Sequence, residues 1–232
     1  MKVVINKARL ARRAQIANIA SIGGMVLLLA GVAAPLVLPR LGQIAVLACI
    51  LAGIIISMIG IYQANRWVRR PRPEEQLSKA LKGLDDKYVL YHYPKGLPCD
   101  HVLLTPSGVV NLETVNLAGR FTYRNNRWSE RMTFGRALRS IVEERLGDPT
   151  RSALAVRDYL TDKLSELAGE KITVRPLIVF THPAAEPELE PGGPVPVHRL
   201  EKLKKHVSID GPRISPAAYE TIAGSFEKAV NG

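Results

Sequence analysis

The chain has 232 residues and a formal net charge of +11, but this charge is distributed unevenly along the sequence. Residues 1–73 carry ten of the 32 Lys and Arg residues and no acid, whereas residues 74–232 carry the other 22 and all 21 Asp and Glu residues. The high pI therefore belongs to the N-terminal part and does not indicate a basic nucleic-acid-binding surface on the rest. The two cysteines have no metal-binding spacing, which excludes a cysteine zinc site and a disulfide-rich scaffold.

Two long apolar runs account for the basic N-terminal part. Residues 16–38 and residues 42–65 contain 23 and 24 residues without a charge. About 20 apolar residues span a bilayer as a helix, and a helix satisfies all of its own backbone polar groups. Pro35 and Pro39 fall at the end of the first run, and the link "PRLG" is short. The pattern predicts a membrane anchor over residues 1–73, with antiparallel transmembrane helices at about 16–38 and 42–65.

The basic residues also predict the orientation of this hairpin. Five precede the first run and four follow the second, whereas only Arg40 lies in the connecting turn. The positive-inside rule then places both termini in the cytoplasm and makes the chain a multi-pass protein of the cell membrane, with the lipid bilayer as a partner. Two alternatives are a cleaved signal peptide over residues 1–34 and a soluble helical hairpin. The first run is too long for a signal peptide, and neither run has the polar face of a soluble helix.

Residues 74–232 are long enough for one core and begin with a helix and a series of strands. The stretch "EEQLSKALKGLDD" has helical apolar spacing, and "KYVLYHYP" is typical of a strand. Two further strands, "CDHVLLT" and "VVNLETV", flank a tight turn at Pro106-Ser107-Gly108. The next hairpin, "GRFTYR" and "RWSE", turns at Asn125-Asn126.

The second half of this part alternates helices and strands. Asp148 and Gly169 bound the strongest predicted helix, whose apolar stripe consists of Val156, Leu160, Leu164 and Leu167. A buried strand "VRPLIVF", a polar loop "PAAEPELEPGGP", a strand "VPVHRL" and a helix "EKLKKH" follow. Ser215-Pro216 begins a last helix that runs to about Val230. The order of elements predicts a mixed α/β domain.

Two acids on neighbouring strands suggest a metal site. Because side chains alternate faces along a strand, Asn111, Glu113 and Val115 share one face, and Asp100 shares a face with Val102. If the two strands pair, Asp100 and Glu113 can point the same way. Two neighbouring carboxylates suit a hard divalent cation such as Mg²⁺. The ordinary alternative for either acid is a solvent-facing or ion-paired side chain.

Residues Glu74 to about Val207 resemble the nuclease-related domain (NERD), a branch of the PD-(D/E)xK or restriction-endonuclease-like superfamily. The matching pieces are "EEQLSKALKGL", "CDHVLLTPSGVVNLETVNLAGRF", "DPTRSALAVRDYL", "VRPLIVF" and "VPVHRLEKL". The resemblance implies a mixed sheet flanked by helices and a phosphodiesterase site that uses Mg²⁺ or Mn²⁺. It also implies that Glu74, Asp100 and Glu113 are the catalytic acids, with Asp100 and Glu113 as metal ligands. For Glu74, a favourable acid at a helix N-terminus is the alternative.

This chain departs from the family pattern at one position. The family's catalytic lysine falls at position 115, where this sequence has Val115, so the nuclease site is expected to be vestigial or weak. Three functions remain open: a degenerate nuclease-like domain that binds nucleic acid or a protein partner at the membrane, an active nuclease with a cation displaced to Lys95 or Arg124, and a membrane scaffold or assembly protein. Whether the chain is an enzyme is left undecided by the sequence.

Overall fold

A computed structural model describes residues 1–37, 42–141, 143–207 and 212–232. The elements in chain order are β1 (Lys2–Ile5), α1 (Lys7–Val37), α2 (Gln43–Trp67), α3 (Pro73–Ala80), β2 (Val89–His92), β3 (His101–Thr105), β4 (Gly108–Val115), β5 (Gly119–Arg124), β6 (Arg127–Glu130), α4 (Phe134–Arg139), α5 (Pro149–Ala168), β7 (Val174–Phe180), β8 (Ala185–Leu189), β9 (Val197–Arg199), α6 (Leu200–His206) and α7 (Pro216–Asn231).

These elements form two compact units, each discontinuous in sequence. The α/β unit contains Met1–Asn6, Pro73–Arg131 and Leu146–Gly232, and the helical unit contains Lys7–Arg72 and Met132–Arg145. The helical unit therefore combines the two apolar helices with a later segment that includes α4.

Helices α1 and α2 pack side by side through small residues. A Cβ atom built on Gly24 would clash with Ser57, and one built on Gly60 would clash with the backbone of Ser21. Small residues at such positions allow two helix backbones to approach closely. Both helices are long and apolar enough to cross a membrane. The predicted turn at Pro39 and Arg40 lies outside the described residues.

The α/β unit is built on a six-stranded mixed sheet with the order β1-β2-β3-β4-β7-β9. Strands β2, β3 and β4 are antiparallel neighbours, whereas the β1–β2, β4–β7 and β7–β9 pairs are parallel. A second sheet has the order β6-β5-β8. The predicted α/β fold, a mixed sheet flanked by helices and preceded by a helical hairpin, is confirmed.

Both faces of the six-stranded sheet are covered by helices. On one face, which we call the α5 face, Val102, Leu104 and Val109 pack with apolar residues of α5 and α7. On the other, the α3 face, Leu90, Leu103 and Leu112 pack with α3 and α6. Side chains of adjacent residues on β3 and β4 therefore enter different halves of the core, as strand alternation requires.

The predicted bounds of the long helix agree with α5. The Asp148 side chain accepts a hydrogen bond from the Arg151 backbone N–H at 3.0 Å, and Gly169 ends the helix with a φ of 68°. Such a left-handed residue is the usual end of a helix and favours glycine. Three members of the predicted apolar stripe are buried, whereas the fourth, Leu167, is 45% exposed and the neighbouring Ala168 packs against the core instead.

Two strands were not predicted. The segment "PAAEPELEPGGP", predicted as a loop, contains β8, which pairs with β5 at the edge of the smaller sheet. An edge strand tolerates proline, so the Pro-rich composition concealed it. Strand β1, next to the first apolar helix, pairs with β2 from Lys2↔Val89 to Ile5↔His92. The residues on both sides of the helical hairpin thus enter the same α/β unit.

Candidate functional site

The candidate site lies where the β3–β4 pairing ends. The two strands pair from Thr105↔Gly108 to Val102↔Asn111. Asp100 and Glu113 each lie two residues beyond the last of these pairs, at the same end of the sheet. Glu113 belongs to the α5 face of β4 together with Asn111. Asp100 directly precedes β3, so its predicted place on the same face as Glu113 stays a prediction. Each acid is half-buried.

Strand β2 continues towards the same place. The Tyr93 backbone N–H donates to the Asp100 carbonyl oxygen at 2.6 Å, which extends the β2–β3 pairing by one residue. Tyr93 has a φ of 60°, an uncommon conformation for a non-glycine residue. Residues in such sparsely populated conformations are often found at functional sites.

Val115 lies two residues beyond Glu113, on the same face of β4. Its side chain is only 6% exposed. It belongs to an apolar cluster that includes Leu117, Phe121 and Phe180. The position from which the family's lysine would act is therefore part of the hydrophobic core, and β4 carries no cation there.

Asn111 lies two residues before Glu113 on the same face and was not assigned a role from the sequence. Its side chain is 1% exposed, and neither amide atom has a hydrogen-bond partner among the residues that the structure describes. The register places it between Val102 of β3 and Pro176 of β7. A buried polar group without a partner costs about 1–3 kcal/mol, so such a group calls for an explanation. A carboxamide at this position can hydrogen-bond to a water molecule or offer its oxygen to a metal ion.

Glu74 is fully buried at the start of α3, with an exposed fraction of 1%. The Tyr93 hydroxyl donates to its Oε2 atom at 2.8 Å. Tyr93 thus joins Glu74 by its side chain and Asp100 by its backbone. Glu74 lies in the first turn of α3, as the alternative of an acid at a helix N-terminus also expects, but its side chain is buried and not exposed to solvent.

Two histidines meet beneath α3, next to Glu74. The Nδ1 atoms of His92 and His101 lie 2.8 Å apart, and Ser78 Oγ lies 3.1 Å from His92 Nε2. A hydrogen bond between two Nδ1 atoms requires one to donate and the other to accept, so at least one imidazole is neutral. Burial, reinforced by the neighbouring His101, holds the pKa of His92 well below its usual value. By alternation this pair belongs to the α3 face, opposite the face of Glu113.

The two basic residues considered as replacements for the missing lysine lie in other settings. Lys95 directs its ammonium group to the Gly232 carbonyl oxygen at 3.1 Å, at the end of α7. Arg124 is exposed and lies in the last pair of the β5–β6 hairpin, opposite Arg127. The described contacts therefore favour neither residue as a cation for Glu113.

The candidate donor atoms at this end of the sheet are oxygens. No group of three or more His, Cys, Asp or Glu residues suited to a metal ion occurs in residues 1–37, 42–141, 143–207 and 212–232. Asp100 and Glu113 carry carboxylate oxygens, and the buried Asn111 amide has a further oxygen on the same face of β4 as Glu113. Mg²⁺ commonly binds through one or two carboxylates and keeps several waters, so this donor set fits a hydrated Mg²⁺ or Mn²⁺ ion.

Sequence reasoning missed Asn111, Tyr93 and the His92–His101 pair. Asn111 was assigned to the correct face, but only the packing of the neighbouring strands revealed its burial. The histidines are nine positions apart and show no ligand spacing. Strands that follow each other in sequence often pair as antiparallel neighbours. Such pairing of β2 with β3 brings His92, at the end of β2, next to His101, at the start of β3.

Comparison with known proteins identifies the region that contains this site. Residues 71–181 match the family model of the nuclease-related domain (NERD), a region that includes α3 and strands β2 to β7. No curated protein and no solved structure matches the chain. Over residues 71–181, slightly less than half of its length, the chain is similar to the nuclease-related domain family.

Proposed function

We propose that this protein is a membrane-anchored nuclease-related domain that binds nucleic acid through a divalent metal ion and no longer cleaves it efficiently. Its acids would act as ligands that hold a phosphate group by way of the metal. The observation that carries the proposal is the burial of Val115 beside Glu113. A site that keeps its acids and loses its cation favours binding over hydrolysis.

The role of each residue follows from its chemistry. Asp100 and Glu113 would hold the metal, and Asn111 would bind it directly or orient one of its waters. Glu74 and Tyr93 would fix the chain around Asp100, as positioning residues. A bound Mg²⁺ or Mn²⁺ ion supplies positive charge that attracts and polarises a phosphodiester.

The missing lysine explains why cleavage is expected to be weak. In the family pattern it would stabilise negative charge that develops as water attacks the phosphate. Loss of one such preorganised group commonly costs about 10²–10³ in rate. An isopropyl group within an apolar cluster cannot donate a hydrogen bond or carry charge, so it cannot replace that function.

The membrane part of the proposal rests on the two apolar helices and their basic flanks. Both are long enough to span a bilayer, and most of their large apolar side chains are exposed. Because β1 and α3 belong to the same unit, a hairpin crossing twice would keep the whole α/β unit on one side. The basic flanks favour the cytoplasmic side, with both termini there.

Binding and cleavage can be measured on the full-length protein in detergent micelles. Fluorescently labelled DNA and RNA would be titrated with protein in Mg²⁺, in Mn²⁺ and in EDTA, and product would be followed on gels. We expect metal-dependent binding with little or no product. Glu113→Ala and Asp100→Ala should abolish the metal-dependent part of binding. Glu188→Ala, which removes an exposed acid from β8, is the matched control and should bind as the wild type does.

Two results would replace this function with another. Metal-dependent cleavage that Glu113→Ala abolishes would make the protein an active nuclease with a displaced cation. Absence of binding to DNA and RNA in either metal would favour a scaffold that binds a membrane or cytoplasmic protein. Residues 74–232 carry almost no net charge, so without a bound metal they have little electrostatic attraction for nucleic acid.

A further inference from the structure

A segment distant in sequence from the apolar helices belongs to the same compact unit as they do. Residues Met132–Arg145, which we call the 132–145 segment, cluster with Lys7–Arg72. Arg66, in the last turn of α2, forms an ion pair with Glu144. Arg69 lies 3.8 Å from Glu143. The segment is therefore held at the C-terminal end of α2.

The end of α2 carries the residue types that mark a membrane–water boundary. Trp67 is the last residue of the helix, and the guanidinium groups of Arg13 and Arg66 lie 5.6 and 5.3 Å from the centre of its ring. The uncharged run of α2 ends at Asn65. Trp67 is itself only 4% exposed, but basic residues flank the ends of membrane-spanning helices. The ion pairs from Arg66 and Arg69 to the 132–145 segment would therefore lie near the level of the lipid headgroups.

The 132–145 segment contains a buried arginine and two exposed large apolar side chains. Arg136 is only 4% exposed and donates to Glu143 Oε2 at 2.7 Å and to the Glu144 carbonyl oxygen at 3.1 Å. Arginine is almost never fully buried unless it is paired, as Arg136 is here with Glu143. Met132 and Ile141 are 57% and 55% exposed. Such a distribution suits a surface that contacts the apolar edge of a bilayer.

The charges around the segment indicate the kind of lipid. Several cationic side chains of the helical unit are exposed: Lys7, Arg12, Arg69, Arg70 and Arg145. Juxtamembrane clusters of Lys and Arg are attracted to anionic headgroups. Exposed apolar side chains next to such a cluster are typical of interfacial membrane contacts.

We infer that the 132–145 segment docks onto the headgroup layer of an anionic bilayer, with Met132 and Ile141 inserted among the lipids. This inference rests on the membrane anchoring proposed above. It adds a third membrane contact, made by a part of the chain that interrupts the α/β unit between β6 and α5. The ion pairs from Arg66 and Arg69 set its depth.

Depth-dependent fluorescence quenching tests this inference on the full-length protein. Single cysteines would replace Met132, Ile141, Leu29 or Leu167 in a Cys49→Ser, Cys99→Ala background and carry an environment-sensitive label. Vesicles of phosphatidylcholine, with or without phosphatidylglycerol, would contain quenchers at shallow or deep positions. Leu29 reports on the middle of α1, and Leu167 is an exposed apolar position on α5.

We expect deep quenchers to act on the Leu29→Cys label and shallow quenchers to act several-fold more strongly on the Met132→Cys and Ile141→Cys labels than on Leu167→Cys. The shallow quenching should increase with phosphatidylglycerol. If the Met132→Cys and Ile141→Cys labels behave as Leu167→Cys does while Leu29→Cys is quenched, the inference is overturned and the anchor stands. If Leu29→Cys is not quenched, the proposed anchoring fails as well.

A charge exchange tests how the segment is held. Glu144→Arg should lower the shallow quenching at the Ile141→Cys label at least twofold, because it places two like charges together. Adding Arg66→Glu restores an opposite-charge pair and should restore the quenching. Glu220→Arg makes the same change of net charge on α7, where Glu220 is exposed, and should leave the signal unchanged. Equal losses in Glu144→Arg and Glu220→Arg would contradict a specific role for the ion pair.

Discussion

Restoring a lysine at position 115 tests both the site and the packing around it. Val115→Lys would introduce an ammonium group two residues beyond Glu113, on the same face of β4. The side chain that it replaces is 6% exposed among apolar neighbours. The substitution should therefore improve the chemistry and reduce the stability of the fold.

The cost in stability can be worked out from two opposing effects. Removing an ammonium group from water costs several kcal/mol even after the protein relaxes. Residues two apart on a strand are about 6.5 Å apart, which gives an attraction to the Glu113 carboxylate of about 2.5 kcal/mol at an effective dielectric constant of about 20. We expect a net loss of about 1–3 kcal/mol in the free energy of unfolding. Val115→Met, which keeps the site apolar, should cost less.

The gain in chemistry is measured by single-turnover cleavage of labelled DNA in Mn²⁺ or Mg²⁺. Cleavage by Val115→Lys should exceed the wild-type rate by about 10²–10³-fold, since the ammonium replaces one preorganised charge. Adding Glu113→Gln should remove both the cleavage and the electrostatic part of the stability. A folded Val115→Lys protein that binds metal and yields no product would refute the view that this site descends from a nuclease.

Four further predictions concern the fold and the site, and all can be followed by the thermal unfolding midpoint of the full chain in micelles. Gly24→Val should lower the stability by about 1–3 kcal/mol, because it overpacks the contact between the two apolar helices. Gly23→Val is the control and should have little effect, because no atom lies within 4 Å of a Cβ built on Gly23. Equal effects of the two substitutions would contradict the described helix contact. Asp148→Ala should cost about 1 kcal/mol by removing the N-cap of α5, and an unchanged midpoint would show that this cap is dispensable. The folded-state pKa of His92 is below its unfolded value of about 6.5, so its contribution to stability is present above pH 6.5 and is lost as the pH falls below that value. His92→Gln should therefore reduce the fall in the unfolding midpoint below pH 6.5. If the pH profile is unaltered, His92 is not the source of that fall. Asn111→Leu should raise the stability by about 1–2 kcal/mol, because it removes a buried amide without a described partner. The same substitution should weaken Mg²⁺ binding. A lower stability would mean that the amide has a bound partner.

Local patterns in the sequence were sufficient where the determining interactions are local. The ends of α5 are fixed by the Asp148 cap and by the left-handed residue Gly169, both within a few residues of the helix. The β3–β4 hairpin follows from strand alternation around a short turn. The length of the apolar runs likewise predicted two long helices, because helix formation depends on neighbours along the chain. These same patterns placed Glu113 within β4 and Asp100 directly before β3, at the same end of the sheet.

Features that depend on distant partners could not be predicted in this way. The β1–β2 pairing joins residues more than 80 positions apart, and no pattern in "KVVI" specifies its partner. The burial of Asn111 depends on both neighbouring strands, and the burial of Arg136 depends on acids in the chain that follows α4.

The sequence alone indicated the resemblance to the nuclease-related domain and the α/β class, and it suggested the candidate acids and the departure at Val115. Each of these depends on residue type and short spacing. Tertiary structure decided that Val115 is sealed in the core, that Glu74 is held by Tyr93, and that the 132–145 segment joins the apolar helices. Those outcomes depend on which surfaces meet when the chain folds, and burial is a property of the completed packing.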